Sequence, residues 1–157
     1  MTSPKVATCL WYDSQGHDAA KFYVSLIPGS EILMNTPAGP GQAPFMTIFT
    51  LAGAPYQAMN GGPRYKLNEA ASISVVTEDQ GETDRLWAAL TADGGAESRC
   101  GWLVDRFGLS WQIVPRQLPG LIGGADPAGA KRATNAMFEM RKIDIAALQA
   151  AYNGGEG

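Results

Sequence analysis

The feature that most constrains this chain is that one pattern runs through it twice. A helical stripe of Phe22-Tyr23 with Leu26 is matched by Leu86-Trp87 with Leu90, and at the same spacing the strands before them set Thr8 against Ser72. Further on, Gly53-Ala54-Pro55-Tyr56-Gln57 parallels Gly108-Leu109-Ser110-Trp111-Gln112, each a turn glycine followed by an aromatic and then a glutamine. Self-similarity of this kind marks a supersecondary unit used repeatedly, so the fold must be one that pairs two copies.

The content of each copy follows from its local pattern. Residues 5–12 are rich in Val, Thr, Leu, Trp and Tyr and end at the turn formers Asp13-Ser14-Gln15-Gly16, which predicts a strand. Apolar Ala19, Phe22, Tyr23 and Leu26 then repeat at helical spacing until Pro28-Gly29. Strands are expected over 31–34, 45–51 and 55–60, the last two closed tightly at Ala52-Gly53-Ala54. After Gly61-Gly62-Pro63 the order restarts with a strand over 71–76 and a helix over 82–90. Two tandem βαβββ modules of an α+β fold are implied, about 5–60 and 70–115.

Residues 116–153 read as a helical extension outside the repeat. Asp126-Pro127 is an N-cap and first-turn pair, Ala133, Ala136, Met137 and Met140 form a helical stripe, and Asp144 can cap a last helix ending at Asn153-Gly154. The tail over 154–157 is expected to fray. At 157 residues with 45% hydrophobic positions, the chain fits a single domain spanning 1–157 with one shared core.

Charge narrows the partners. A formal net charge of -3 without a Lys/Arg cluster argues against nucleic acid, since phosphate binding relies on clustered cations. No stretch is apolar enough to span a bilayer or serve as a leader, so a cytoplasmic protein with a small-molecule partner and no membrane is expected. Cys9 and Cys100 lie far apart and are read as reduced thiols, with no CxxC pair for zinc.

The residues that narrow the family are Phe22-Tyr23, Asn60-Gly61-Gly62-Pro63 with Asn68-Glu69-Ala70, Cys100-Gly101-Trp102, and the run from Asp105 through Trp111-Gln112 to Pro115. Together with the ending Met140-Arg141-Lys142-Ile143-Asp144-Ile145-Ala146-Ala147-Leu148, they resemble the PhnB-like branch of the glyoxalase, bleomycin-resistance and dioxygenase (vicinal-oxygen-chelate) superfamily, over nearly the whole chain. The resemblance implies that two βαβββ modules enclose a pocket with curved sheets, and that the protein is a homodimer. In metal-binding members four ligands, usually His and Glu, project into that pocket. Counted from the helix aromatics and turn glycines, those positions are Thr8, Gln57, Ser72 and Gln112, none of them a His or a carboxylate.

Strand alternation divides these residues between two faces. Cys9, Trp11, Tyr56, Ala58, Ile73, Val75, Trp111 and Ile113 are expected beneath the helices. Opposite them come Thr8, Leu10, Tyr12, Gln57, Met59, Ser72, Ser74, Val76, Ser110, Gln112 and Val114. From that second set, Thr8, Tyr12, Gln57, Met59, Ser72, Ser74 and Gln112 are read as lining a cavity for a small polar molecule, the alternative being that the four polar positions face solvent or a buried water cluster. Neutral hydroxyls and amides offset the hydration of a divalent transition metal poorly, so neither a metal nor a cofactor is expected there.

Other chemistry is thinly supported. His17, the one histidine, sits beside Asp18 at a helix start and reads as solvated surface. Cys9 reads as core, and Cys100 beside Arg99 is left open. Arg64 and Lys66 read as a solvated loop, although an anion at the pocket mouth is the other reading. Asp13, Glu69 and Asp105 suit turn caps, and the four tryptophans suit core.

The family is often labelled demethylubiquinone methyltransferase, but Gly61-Gly62, Gly94-Gly95 and Gly123-Gly124 fit no adenosyl-binding glycine motif. The expectation is therefore a metal-free binding module or an enzyme whose catalytic groups and ligand are unnamed. The alternative is a metal-dependent lyase, isomerase or dioxygenase recruiting its ion through Glu69 or Asp105.

Overall fold

In a computed structural model, residues 4–155 are described; of the expected frayed tail, residues 156–157 lie outside them. The chain divides into two compact units, residues 1–67 and 68–157.

The first unit runs β1 (Thr8–Tyr12), α1 (Gly16–Leu26), β2 (Glu31–Asn35), β3 (Met46–Leu51) and β4 (Ala54–Asn60). Its sheet has the order β1-β4-β3-β2, with β1 parallel to β4 and the other pairs antiparallel. The β3–β4 connection is a two-residue turn in which Ala52 and Gly53 both have positive φ, 47° and 86°, the backbone a tight hairpin demands. Helix α1 has no capping side chain of its own at Gln15. Instead the Gly16 N–H donates to Asn60 Oδ1 at 2.7 Å, which ties the helix start to the end of β4.

The second unit repeats the plan with β5 (Ser72–Thr77), α2 (Gln80–Thr91), β6 (Ala96–Glu97), β7 (Trp102–Val104) and β8 (Ser110–Pro115) in the order β5-β8-β7-β6. Asp79 caps α2 by accepting from Glu82 N–H at 2.8 Å, so the helix begins two residues before the start expected from the apolar stripe. Three helices follow: α3 (Leu118–Ile122), α4 (Pro127–Phe138) and α5 (Ile145–Tyr152). Asp126 and Asp144 cap α4 and α5 through Ala128 N–H and Ala147 N–H. Leu118, Leu121, Ala133, Ile143 and Leu148 form a buried cluster among these helices, and Val114 of β8 packs against it.

Two anchors hold this extension to its sheet. The Gln80 amide donates to Ile143 O at 3.0 Å and accepts from Ile145 N–H at 2.9 Å. The β6–β7 turn donates Cys100 N–H to Met140 O at 2.9 Å and Gly101 N–H to Arg141 O at 2.8 Å. Gly101 cannot be replaced freely, because a Cβ there would sit 2.8 Å from Ile113 O and its φ is +84°.

The structure corrects the expected face assignment in β1. Leu10 and Tyr12 are buried, and the Tyr12 hydroxyl lies 3.1 Å from the Tyr23 hydroxyl of α1. The pairing sets Leu10 beside Ala58 and Cys9 beside Gln57, so Thr8, Leu10 and Tyr12 share the helix-covered face with Tyr56 and Ala58. Cys9 and Trp11 occupy the face of Gln57 and Met59, the reverse of the expectation. The cause is one residue of loop. Three residues, 13–15, join β1 to α1, whereas two, 78–79, join β5 to α2. Aligning the copies on their helices therefore displaces the strands by one position, and a one-residue displacement exchanges the two faces. In β5 and β8 the expected faces stand: Ile73, Trp111 and Ile113 are buried, with Ser72, Ser74, Gln112 and Val114 opposite.

Candidate functional site

In the first unit the open face carries Cys9 and Trp11 of β1 beside Gln57 and Met59 of β4. Thr8 and Tyr12 do not join them. Cys9 is exposed rather than core, and partial burial of its thiol pushes the pKa up. On the opposite face, Tyr56 stacks on Phe49 at 5.6 Å and burial likewise raises its phenol.

Trp11 anchors the loop that follows β4. Its indole N–H donates to Gly62 O at 2.9 Å, and its ring lies so close over Gly61 that a Cβ there would meet Cζ2 at 2.4 Å. Tyr65 packs edge-on against Trp11 at 5.1 Å, with the Arg64 guanidinium 5.4 Å from the Tyr65 ring centre. His17 is not fully solvated: it is half-buried, with Nδ1 3.1 Å from the hydroxyl of buried Thr47.

The second unit brings together three of the expected residues. Ser74 pairs with Gln112 across β5 and β8, and the Gln112 side-chain amide donates to Ser72 Oγ at 2.9 Å. Because Ser72 accepts that bond, its own proton remains available to a further acceptor. Beside it Ser110, 1% exposed, has a hydroxyl with no partner among the described residues. A buried hydroxyl left unmet costs about 1–3 kcal/mol.

Helices α3 and α4 turn part of that face into a cleft of about 590 Å³. Its sheet side is Trp102, Gln112 and Val114, its helix side Leu118, Pro119, Ile122, Met137 and Phe138, and its rim the turn residues Ser98, Arg99 and Cys100. The size and the mainly apolar wall with a few polar groups suit a small organic molecule. Sequence reasoning missed this wall. The helical stripe marked Met137 as packing, and nothing in the local pattern says that Ile122 and Phe138 reach the sheet face holding Gln112.

Of the acidic candidates, Asp105 is committed elsewhere, while Asp13 and Glu69 are exposed. Asp105 is 2% exposed, and its carboxylate accepts from Phe107 N–H at 2.8 Å, Leu109 N–H at 3.1 Å and the Trp111 indole at 2.8 Å. No group of three or more His, Cys, Asp or Glu side chains that could hold a metal occurs among the described residues. The side chains on the open sheet faces do not fit a transition metal, which needs imidazole, thiolate or carboxylate in number.

The glycine pairs do not fit an adenosyl cofactor either. Gly61-Gly62 joins two strands, Gly94-Gly95 follows a helix, and Gly123-Gly124 separates two helices, so none lies between a strand and a following helix. No helix among the described residues is long and apolar enough to cross a membrane.

Two four-stranded sheets of like order, each with its own helix after the first strand, define the class by fold: an α+β protein built of two like βαβββ units. Within it, the chain belongs to the family whose model is described as 3-demethylubiquinone-9 3-methyltransferase and matches residues 4–114. The PhnB protein from Bacillus cereus is similar at 27% identity and a TM-score of 0.64, over 71% of this chain and 99% of its own. Protein PA1353 from Pseudomonas aeruginosa aligns over 72% of this chain and 98% of its own, at 20% identity and a TM-score of 0.57. The fosfomycin resistance protein FosX from Listeria monocytogenes, in a complex with Mn(II) and a dihydroxypropylphosphonic acid, aligns over 73% and 93% at 15% identity and a TM-score of 0.52. These last two likenesses concern the fold alone. The sequence matches none of the curated proteins. Since the family match ends at Val114, α3 to α5 lie beyond it.

Proposed function

We propose that this chain binds a small molecule in the cleft between the open face of β7–β8 and helices α3 and α4, and that it does so without a metal ion. The observation that carries the reading is the Gln112 amide at an otherwise apolar cleft, held in place by its bond to Ser72. An amide so positioned can both donate and accept, which orients a polar group while Trp102, Ile122 and Phe138 cover the rest of the molecule. Ser74 lies beside Gln112 on the same face and extends the polar strip. Gln57 and Met59, with Cys9 and Trp11 in place of Thr8 and Tyr12, form the corresponding strip of the first unit and belong to the same reading.

The proposal names no reaction. A metal-dependent lyase, isomerase or dioxygenase has little to work with, since Asp105 spends its carboxylate on three internal donors. The methyltransferase in the family description finds no glycine-rich turn for its cofactor. The reading extends to a cytoplasmic homodimer. Exposed Leu33, Met34 and Phe45 of the first unit support an assembly, and a monomeric mass in light scattering would count against that part.

The test is a fragment screen on the purified chain with and without a chelator, followed by NMR of the Trp102 indole. Hits are expected to move that resonance equally in both conditions, and Gln112→Leu is expected to weaken polar hits more than apolar ones. A stoichiometric transition metal whose removal abolishes binding would overturn the proposal, as would hits that leave Trp102 untouched.

A further inference from the structure

We infer that the cleft of the second unit selects an amphipathic anion, an apolar body bearing one carboxylate, with Arg99 receiving the charge. This rests on the cleft being a ligand site and adds the chemical class of the ligand.

Most arginines of this unit are paired with a carboxylate. Arg106 pairs with Asp93, Arg116 with Glu78, Arg132 with Asp126, and Arg141 with Glu97. Arg99 lines the cleft, and its guanidinium has no carboxylate, hydrogen-bond or ring partner among the described residues. The acid nearest to it in sequence, Glu97, is already taken: it accepts the Trp87 indole N–H at 2.7 Å and faces Arg141. Among the described residues no Asp or Glu lines the cleft, so in a chain of net charge -3 this recess carries one positive group and no negative one.

Arg99 is also held in position from behind. Residues 99–102 form a tight turn in which Trp102 N–H donates to Arg99 O at 3.0 Å, while Cys100 and Gly101 take φ of 56° and 84°. Cys100 N–H and Gly101 N–H are bonded to the carbonyls of Met140 and Arg141. The backbone is thus fixed on two sides, and only the side chain is left to move toward a ligand. A guanidinium beside an apolar wall meets a carboxylate through paired N–H donors, which an ammonium cannot copy in geometry.

The apolar half of the preference comes from Leu118, Ile122 and Phe138, all in the segment beyond the family match. The apolar wall is accordingly added by the extension, whereas Arg99 lies within the part that the family match covers.

The experiment uses the full chain and a matched probe pair, 4-phenylbutyrate and its neutral amide, titrated by calorimetry and followed at the Trp102 indole by NMR. At low salt the acid is expected to bind about tenfold more tightly than the amide, the worth of one charge-assisted contact. That preference is expected to shrink as salt rises, to disappear in Arg99→Gln, and to fall to an intermediate value in Arg99→Lys, which keeps the charge and loses the paired donors. Ile122→Trp, which fills the recess, is expected to remove binding of both probes.

Equal binding of acid and amide at Trp102 would overturn the anion inference while leaving the cleft as a ligand site. An acid preference that survives Arg99→Gln would overturn the role of Arg99. Binding of neither probe would overturn the inference altogether.

Discussion

Replacing Asp105 by Ala tests how the turn before β8 keeps Gln112 in register. The carboxylate accepts three hydrogen bonds, two of them from buried donors, the Leu109 N–H and the Trp111 indole. Phe107 N–H is half-buried and can turn to water. Two stranded buried donors at about 1–3 kcal/mol each, with little recovered at Phe107, give an expected loss of about 3–5 kcal/mol. That is a large share of the 5–15 kcal/mol typical of a domain. Urea unfolding followed by tryptophan fluorescence reads it as a lower midpoint at unchanged slope.

Asp105→Asn should lose less, about 2 kcal/mol, because the amide oxygen still accepts from the backbone while its NH2 opposes the Trp111 N–H. A loss under about 1 kcal/mol for the Ala variant would refute the reasoning. It would mean that water reaches the turn and that the bonds are not what shapes it.

Gln80→Ala removes both bonds that hold the start of α5, and about 1–2 kcal/mol is expected, concentrated in faster hydrogen exchange at Ile145 rather than in global unfolding. Asn60→Ala strips α1 of the acceptor for Gly16 N–H, with an expected loss of about 1 kcal/mol by thermal unfolding. Cys9 is expected to react with a thiol reagent in the folded protein, more slowly than a free thiol at pH 8 because burial raises its pKa; full protection until unfolding would restore the original face assignment.

At Asp84, the Lys142 hydrogen bond, then Gln80, holds the carboxyl below its ordinary value of 3.8. Its contribution should be complete above that pH and be lost as pH falls through the lowered value. Stability curves of wild type and Asp84→Asn are therefore expected to converge in acid, and a gap that widens there would contradict the sign.

Much of the candidate site was legible, and the part that was not has a definite cause. The turn glycine, aromatic and glutamine pattern located Gln57 and Gln112 correctly on open faces, because a hairpin fixes the phase of the strand that follows it. Thr8 and Tyr12 failed because their phase was carried across a loop, and the β1–α1 loop holds one residue more than its counterpart. Burial gives a sign in retrospect, since Leu10 and Tyr12 are the β1 residues that meet α1. In a strand reading Thr-Cys-Leu-Trp-Tyr, however, both phases place apolar groups inside.

The sequence by itself determined the repeated βαβββ plan and the capped helices of the extension. Each of these depends on neighbours close in the chain or on residue type alone. Only the tertiary structure decided that α3 and α4 wall off part of the open face of β8, that Asp105 is spent inside a turn, and that the Arg99 guanidinium finds no partner among the described residues. Those outcomes turn on which distant side chains meet, and a local pattern records that a side chain is apolar or charged without recording what it will face.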